Sequence, residues 1–394
     1  MRIAVVNRSS RKIGGVEVYL DYVIPALADA GHKLALLYEC DPIQQRKPIS
    51  LPTSSPSWKV EELGRGQVLA HLREWRPDIC FVHGLRDTAL ESEIVDCAPS
   101  VLYVHNYYGT CISGNKAVVG ESIAPCTRKF GASCLIHYFR DRCGGSNPLT
   151  MWDLYRRQSH RLRSMRRYRA LVGDSLHMVG EMERHGLTAE CLYYPLVPPL
   201  LSAPPKSATD ATLHILFAGR MTHLKGGQHL LAALPQIQAR LERKLFVTMA
   251  GDGPDRSTWE RLAQDSRSDR IYVEFPGWLE GEKLHQAIAK SHLLAYPSLW
   301  PEPFGLSGLE AGFLGVPTVA FPVGGIPEWL IENVNGHLAA LPAGPATLAE
   351  AIIHALSNPH HYDDLCQGAR MRSVSYPPDR HLAQLSKIFK RCLS

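Results

Sequence analysis

Short apolar runs alternate along the chain with longer segments in which apolar residues recur every three or four positions. The first run, Arg2–Asn7, is followed by a helical pattern over Tyr19–Gly31 and by a second run at Leu34–Glu39. Near-continuous apolar runs are typical of strands buried on both faces of a parallel sheet, and the intervening segments are long enough for crossover helices. The pattern continues with a predicted helix at Glu61–Trp75 and predicted strands at Ile79–His83 and Val101–His105.

The same alternation restarts in the second half of the chain. A proline-rich stretch separates the halves, so we place a first domain at residues 1–198, a linker at 199–212 and a second domain at 213–376. A last helix is predicted within residues 377–394, after Pro377 and Pro378. The second half has these predicted elements: strands at His214–Ala218, Leu245–Ala250, Ile271–Phe275, Leu293–Tyr296 and Thr318–Phe321, and a helix at Gln228–Arg240.

Length and composition agree with two α/β domains. A chain of 394 residues with 45% apolar content can bury two cores, and its formal charge of +5 suits anionic ligands without requiring nucleic acid. The first apolar run is too short for a signal peptide, and no run has membrane-spanning length. Ten cysteines scattered over so long a chain fit reduced thiols. We therefore expect a cytoplasmic protein, with peripheral contact at the inner face of the membrane as an option.

Two glutamates lie eight positions apart around a turn that opens a predicted helix. Prolines on both sides of Glu302 disfavour helix there, whereas apolar residues recur at helical spacing around Glu310, so the helix should begin near Phe304 or Gly305. Eight residues at helical pitch separate the carboxylates by roughly 12 Å, too far for a short-range hydrolytic pair. They are better placed to hold two ends of one elongated ligand.

The start of this helix offers backbone N–H groups to such a ligand. The first amides of a helix have no partner within it and carry the positive end of the dipole, so they suit a phosphate. The donors would come from Phe304, Gly305, Leu306 and Ser307, and Gly305 would let a ligand approach closely. The serine has the alternative role of a helix cap.

Two basic residues flank a short turn after a predicted strand. Charge-assisted hydrogen bonds from Arg220 and Lys225 to a diphosphate would contribute about 1.5–3 kcal/mol each. The alternative is a solvated basic loop. In open parallel sheets the ligand lies beyond the carboxyl ends of the strands, and His105, Gly251 and Glu302 also follow predicted strands directly.

Several motifs occur in one order over most of the chain and carry a resemblance to a known family. They are Gly14-Gly15-Val16-Glu17, Phe217-Ala218-Gly219-Arg220, Lys225-Gly226-Gly227, Ala250-Gly251-Asp252-Gly253-Pro254, Phe275-Pro276-Gly277-Trp278, the glutamate pair, and Phe321-Pro322-Val323-Gly324-Gly325-Ile326-Pro327-Glu328. The set resembles the retaining nucleotide-sugar glycosyltransferases of the GT-B type, glycosyltransferase family 4 (group 1). This resemblance implies an α/β protein with two Rossmann-like domains whose parallel sheets face a central cleft.

The resemblance also implies roles for residues of the second domain. Arg220 and Lys225 would neutralise the leaving nucleoside diphosphate, and Glu310 would accept the ribose hydroxyls. Glu302 would meet the hydroxyls of the donor sugar near the anomeric centre, with a positioning and electrostatic role instead of a nucleophilic one. The alternatives are a surface glutamate at position 310 and, at position 302, a charge that only complements the helix dipole. Gly251 and Gly277 would lie beside the donor.

In the first domain the resemblance implies a histidine that faces the transferred sugar or the acceptor. His105, followed by Asn106, has that position at the end of a predicted strand. A structural histidine bonded to the backbone is the alternative. Gly14 and Gly15 would allow the N-terminal loop to approach the diphosphate or the acceptor, although adjacent glycines also form ordinary turns.

A segment at about residues 107–148 departs most from the family pattern and would shape the acceptor site. It contains Cys111, Cys126, Cys134 and Cys143, with His137 nearby, but no C-x-x-C pair. A folded insertion could still bring these thiols together around zinc, so metal binding and plain thiols both remain open.

Residues 155–169 form a strongly basic run with sparse apolar positions at helical spacing. Such a run binds an anionic membrane, a lipid-diphosphate acceptor or RNA, or it is a solvated helix face. The composition makes nucleic acid the weakest of these partners.

Together these observations predict an enzyme that transfers a hexosyl group from a nucleotide diphosphate sugar to a hydroxyl acceptor with retention of configuration. We expect UDP- or GDP-sugar as co-substrate, no required cofactor or metal, and a place in bacterial polysaccharide, lipid-linked or natural-product biosynthesis. The alternatives are a GT-B-fold sugar-nucleotide isomerase or epimerase, or a phosphorylase, and a non-enzymatic basic protein that binds nucleic acid.

Overall fold

The computed structural model describes residues 1–42, 46–120, 123–204 and 206–394. They fall into two compact units: the first comprises Met1–Asn115, Thr127–Pro195 and Pro378–Ser394, and the second comprises Lys116–Cys126 and Leu196–Pro377. Residues 121 and 122 of the predicted insertion and Pro205 of the predicted linker lie outside the described residues. Among the described residues, no helix combines the length and the apolar character needed to cross a bilayer.

The strands are β1 Arg2–Asn7, β2 Lys33–Tyr38, β3 Ser57–Lys59, β4 Ile79–Val82, β5 Ser100–Val104, β6 Ala117–Val119, β7 Ile123–Pro125, β8 Ala170–Gly173, β9 Glu190–Cys191, β10 Thr212–Ala218, β11 Lys244–Ala250, β12 Ile271–Gly277, β13 Leu293–Tyr296, β14 Thr318–Ala320 and β15 Gly336–Leu338. The helices are α1 Gly15–Asp29, α2 Val60–Trp75, α3 Thr88–Val95, α4 Ser133–Arg140, α5 Pro148–Met165, α6 Leu176–Arg184, α7 Gly227–Leu241, α8 Arg256–Asp265, α9 Glu282–Lys290, α10 Leu306–Phe313, α11 Pro345–Ser357, α12 Pro359–Ser373 and α13 Pro378–Leu393.

Each unit is built on a parallel sheet. In the first unit the strand order is β3-β2-β1-β4-β5-β8-β9, and in the second it is β12-β11-β10-β13-β14-β15. Both sheets start from a central strand, run to one edge and then cross over to the other side, which is the strand order of a doubly wound Rossmann-type sheet. The predicted α/β fold with two Rossmann-like domains is confirmed.

The strand order also fixes where ligands bind. In such sheets the crevice lies at the carboxyl ends of the two strands between which the order reverses. These strands are β1 and β4 in the first unit and β10 and β13 in the second. The side chains that follow those strands are therefore the candidates for function.

The last helix, α13, is part of the first unit and packs against α1 and β5. It buries an apolar stripe that includes Leu385, Ile388 and Phe389, and the Phe389 ring meets the edge of Phe81 with 5.2 Å between centroids. His381, in its first turns, donates from Nδ1 to the carbonyl of Tyr193, and its Nε2 accepts a 2.9 Å hydrogen bond from the Tyr19 hydroxyl. The chain end thus completes the core around the first sheet.

Candidate active site

The loops after β10 and β13 are joined by their backbones. After β10 the chain turns and forms a short 3₁₀ helix at His223–Lys225, and the amides of Leu299 and Trp300 both donate to the carbonyl of Leu224, at 2.8 and 3.0 Å. Gly226 follows with φ +70°, and a Cβ there would lie 1.8 Å from the carbonyl oxygen of Pro297. Only glycine fits this contact, which holds the lysine turn against the end of β13.

This backbone contact brings Lys225 and Glu302 together across 77 positions of sequence. The Lys225 Nζ lies 2.5 Å from Glu302 Oε1, and the Glu302 side chain is only 5% exposed. The ammonium also lies 4.8 Å from the centroid of the Trp300 ring, over its face. A carboxylate this deeply buried needs a cationic partner, so the pair is a fixed feature of the site.

Both predicted glutamates, Glu302 and Glu310, affect the pKa of the Tyr296 hydroxyl. Burial raises the pKa of Tyr296 well above its usual value, and the charges of Glu302 and Glu310 raise it further. Glu310 itself is half-buried within α10, and burial raises the pKa of its carboxyl group. Among the described residues, no group donates a hydrogen bond to this carboxylate. Its acceptor capacity is therefore available to a ligand.

The tip of α10 is open to an anion. The helix begins at Leu306, within two residues of the predicted start, and Gly305 at φ +91° precedes it without a side-chain cap. Ser307 therefore lies inside the first turn and is not the N-cap. Below the tip, Trp329 Nε1 donates to the carbonyl of Phe304 at 2.7 Å, which fixes the backbone from beneath. The first amides of α10 can donate to a phosphate.

Glycines lie at the carboxyl ends of the neighbouring strands β11 and β12. Gly251, after β11, has φ +147°, and a Cβ there would lie 1.9 Å from the carbonyl oxygen of Gly219. The amide of Gly251 donates to the carbonyl of Gly277 at the end of β12, at 2.8 Å. The backbones after β10, β11 and β12 therefore approach one another too closely for side chains, and a ligand at this edge meets peptide groups.

Arg220 differs from Lys225 although both belong to the same turn. Its side chain is exposed, and within the described residues its guanidinium forms no ion pair and no hydrogen bond. A planar cation with free donors at a strand end suits a phosphate group. The turn after β10 thus carries one cation that is paired, Lys225, and one that is exposed and unpaired within the described residues, Arg220.

The predicted residues of the first unit lie in different surroundings. His105 follows β5, and its two ring nitrogens contact His83 Nδ1, at 2.7 Å, and the Tyr194 hydroxyl. Burial lowers the pKa of His105 to about 3, so the ring is neutral at physiological pH. Both ring nitrogens of His105 thus contact side chains, and not the backbone as the structural alternative proposed. A catalytic role for His105 stays a prediction.

Sequence reasoning missed His83, which lies at the switch point of the first sheet. It follows β4, is buried, and its Nε2 has no hydrogen-bond partner within the described residues. The strand-end rule that selected His105 would have selected it, because it ends the run at Ile79–His83. Gly14 and Gly15 open α1, and a Cβ on Gly14 would make only an ordinary 3.6 Å contact with Glu17. Sterics alone do not require glycine at position 14.

Comparison with known proteins agrees with this geometry. Residues 204–372 match the family described as glycosyl transferases group 1. The uncharacterized glycosyltransferase MJ1607 of Methanocaldococcus jannaschii is 35% identical over 144 residues, 36% of each chain. The alpha-maltose-1-phosphate synthase of Mycolicibacterium smegmatis is 26% identical over 310 residues, 73% of this chain and 77% of the synthase. The crystal structure of Anabaena Alr3699/HepE in complex with UDP and glucose has 17% identity, a TM-score of 0.71 and 99% coverage of both chains.

The chain has the GT-B fold, and most of its second unit matches the group 1 glycosyl transferases.

The family match lies within the second unit. The matched residues include Arg220, Lys225, Glu302 and Glu310, whereas His105 and the Gly14-Gly15 turn lie outside them. The alignment with MJ1607 spans only 36% of that protein. The family match therefore covers the candidate site of the second unit and does not extend to the candidate residues of the first.

The cysteine-bearing segment is divided between the two units. Cys126 belongs to the second unit, together with the β6–β7 hairpin, whereas Cys111, Cys134 and Cys143 belong to the first. The Cys143 thiol lies 3.6 Å from the carbonyl oxygen of His137. Among the described residues, the group of side chains arranged to hold a metal contains none of these cysteines. The zinc prediction for them stays a prediction.

The basic run at 155–169 is not a uniform surface. Arg161 is buried and pairs with Glu91 at 3.1 Å, while Arg157 pairs with Asp153 at 2.8 Å and Arg167 with Asp96. The exposed apolar side chains lie nearby on α4 and the start of α5: Ile136, Phe139, Leu149 and Trp152. This part of the first unit therefore combines arginines with exposed apolar groups.

Proposed function

We propose that this protein is a retaining glycosyltransferase of family 4 that transfers a hexosyl group from a nucleotide diphosphate sugar to a hydroxyl acceptor. The observation that carries the proposal is the pairing of Lys225 with the buried Glu302 at the switch point of the second sheet, beside the exposed Arg220. A UDP- or GDP-sugar is the proposed donor. UDP and glucose are bound in the Anabaena structure that shares this fold.

Each group then acts on one part of the donor. Arg220, Lys225 and the first amides of α10 bind the diphosphate and stabilise the negative charge that develops on it as it leaves. Glu310 accepts the ribose hydroxyls, and the second oxygen of Glu302 accepts a hydroxyl of the sugar while Lys225 holds the first. The glutamate thereby orients the anomeric carbon and does not attack it.

Retention follows from attack on the face that the diphosphate leaves. The acceptor oxygen forms a bond to the anomeric carbon as the bond between that carbon and the β-phosphate oxygen breaks, and the acceptor proton passes to the departing phosphate oxygen. No cofactor or metal is needed to balance this step. The products are the glycoside and a nucleoside diphosphate.

The acceptor is proposed to be a glycan, a lipid-linked sugar or a small molecule of bacterial glycoconjugate biosynthesis. Exposed Leu149 and Trp152 at the start of α5, with exposed arginines on the same helix, favour peripheral contact with an anionic membrane from the cytoplasmic side. The internal pairing of Arg157, Arg161 and Arg167 weakens the case for a nucleic-acid-binding protein.

The decisive experiment measures the products. A thermal-shift screen with UDP, GDP, ADP and TDP identifies the base, because a bound nucleotide stabilises the folded state by mass action. The matching sugar nucleotides are then incubated with candidate acceptors, and the anomeric configuration of the product is read by NMR. Release of nucleoside diphosphate with retained configuration is expected. Conversion of the donor into an isomeric sugar nucleotide, without release of diphosphate, would instead establish the isomerase alternative.

A further inference from the structure

Three histidines that take no part in the proposed reaction meet on the second unit. His337 lies in the edge strand β15, His354 in α11 and His361 in α12. One ring nitrogen of each lies within 4.8 Å of those of the other two. The ring centroids are 4.4 Å apart for His337 and His354, 5.1 Å for His337 and His361, and 5.2 Å for His354 and His361. Three consecutive elements therefore present imidazoles to one point.

The spacing of the nitrogens is close to that of a coordination site. His337 Nε2 and His361 Nε2 are 2.9 Å apart. Around a tetrahedral ion with metal–nitrogen bonds of about 2.0–2.1 Å, neighbouring ligand nitrogens lie roughly 3.3 Å apart. These two nitrogens need to separate by only a few tenths of an ångström to admit an ion. His354 is exposed, so its side chain can adjust.

A carboxylate fixes the tautomer of the buried member of the group. His337 is 1% exposed, and its Nδ1 lies 2.7 Å from Glu332 Oε1. The other oxygen of Glu332 accepts from the amide of Leu338 at 2.6 Å, so the carboxylate cannot swing away. With Nδ1–H donated to Glu332, the lone pair of His337 is on Nε2, which faces His361. Metal-binding histidines are oriented by such carboxylates in zinc sites.

The surroundings allow an ion to enter. His337 and His354 line an open cleft together with Glu332, Glu350 and Thr347. A water molecule in this cleft would supply the fourth ligand.

We propose that His337, His354 and His361 form a binding site for a divalent transition-metal ion, with Zn²⁺ as the best fit. Three imidazoles suit Zn²⁺, Cu²⁺ or Ni²⁺, whereas Mg²⁺ and Ca²⁺ require oxygen ligands. The ion links β15, α11 and α12 and so stabilises the edge of the second sheet. It has no part in sugar transfer.

The test uses the untagged full-length protein, since a polyhistidine tag would itself bind the ion. Protein dialysed against Zn²⁺ and then against metal-free buffer should retain one ion per chain by elemental analysis. Substitution with Co²⁺ should give the intense visible d–d absorption of a tetrahedral site. His354→Ala is the main variant, because this side chain is exposed and its loss should not impair folding. His360→Ala is the matched control: His360 is exposed, adjoins His361 and is not part of the group.

The expected result is that wild type and His360→Ala bind Zn²⁺ equally and are stabilised by it in thermal unfolding, while His354→Ala loses at least about tenfold in affinity. Glu332→Gln, which removes the orienting carboxylate and keeps all three imidazoles, should lower the affinity about 10–100-fold. Failure of wild type to retain Zn²⁺ would overturn the site, as would equal affinity of His354→Ala and wild type. In that case the three rings form only a hydrogen-bonded and stacked surface cluster.

Discussion

The carboxyl edges of the two sheets show what the same strand order can be used for. At the switch point of the second sheet lie an ion pair, an exposed arginine and the open tip of a helix. At that of the first sheet, His83 is packed with His105 among the rings of Tyr19, Tyr103 and Tyr194. Topology places polar groups at both edges. The chain segments that cover each edge decide whether those groups stay charged and available or become neutral and enclosed.

Substitution of Lys225 or Glu302, at the carboxyl edge of the second sheet, should have the largest effect on activity. Lys225→Ala withdraws a charge from the leaving diphosphate and leaves Glu302 buried without its cation, so kcat should fall about 10²–10³-fold. Glu302→Gln removes the sugar contact and should cause a similar loss. The assay is release of nucleoside diphosphate at saturating donor.

Lys283→Ala is the matched control, since Lys283 is an exposed lysine of the same unit. A double variant with Lys225→Ala and Glu302→Gln should lose less than the sum of the two single effects, because the residues form one pair. Normal turnover in both single variants would show that the pair is only structural, and the edge of the second sheet would then resemble that of the first.

A smaller effect, on the free energy of unfolding, is expected from adding a side chain at the glycine contact on the carboxyl edge of the second sheet. Gly251→Ala places a Cβ 1.9 Å from the Gly219 carbonyl oxygen at a φ of +147°, so the free energy of unfolding should fall by about 2–3 kcal/mol. Gly281→Ala is the control, because its φ of +53° is also positive but no atom lies within 4 Å of the added Cβ. It should lose only about 1 kcal/mol. Urea denaturation measures both, and equal losses would show that the contact with Gly219 is loose.

The sequence predicts the parts of this molecule that depend on local pattern. The strands at Arg2–Asn7 and Leu293–Tyr296 have the predicted bounds, and α10 begins within two residues of its expected start. The pairing of Lys225 with Glu302 could be predicted only through family resemblance, because 77 residues separate them. Contacts between distant strands are set by tertiary packing, for which periodicity contains no information.

The features that were not predicted from the sequence were missed for the same reason. Nothing in the run Val101–His105 indicates that Tyr194, 89 positions later, would engage the ring of His105. The three histidines at 337, 354 and 361 lie 17 and 7 positions apart and match no metal-binding spacing, yet the packing of β15, α11 and α12 brings them together. The four cysteines attracted attention because they are close in sequence, but the structure divides them between two units.

The enclosed histidines of the first edge should make the first unit sensitive to acid. Burial lowers the pKa of His105 to about 3 and that of His381 to about 4, against 6.5 for a free imidazole. Above pH 6.5 both histidines are neutral in the folded and the unfolded state, so they do not lower the free energy of unfolding. As the pH falls below 6.5, these histidines bind protons in the unfolded chain but stay neutral in the folded state. Each histidine therefore lowers the free energy of unfolding by about 1.4 kcal/mol per pH unit.

The measurement is the free energy of unfolding in urea between pH 7.5 and 5. His381→Gln should reduce the slope against pH by about one proton, whatever its effect on absolute stability. An unchanged slope in His381→Gln would mean that this ring is protonated in the folded protein and that the first edge is more open than its contacts indicate.

The smallest expected effect is that of substituting Glu310, and it tests only the carboxyl edge of the second sheet. Glu310→Gln keeps the size of the side chain but weakens acceptance of the ribose hydroxyls, so UDP, or whichever nucleotide the screen identifies, should bind about 5–10-fold more weakly at pH 7.5 by calorimetry. Folding should not suffer. Because burial raises the pKa of this carboxyl, the stability it provides is present at low pH and lost as the pH rises through the folded-state value. A neutral glutamine removes that loss.

Two comparisons separate the ribose contact from a general effect of charge. For wild type, nucleotide affinity should fall as the pH is lowered towards the raised pKa of Glu310, and Glu310→Gln should show a weaker dependence. The 2′-deoxy nucleotide lacks one of the hydroxyls that Glu310 accepts, so the substitution should weaken its binding less than that of the ribonucleotide. An equal loss for both nucleotides would place Glu310 away from the ribose, since the carboxylate would then act only through its charge.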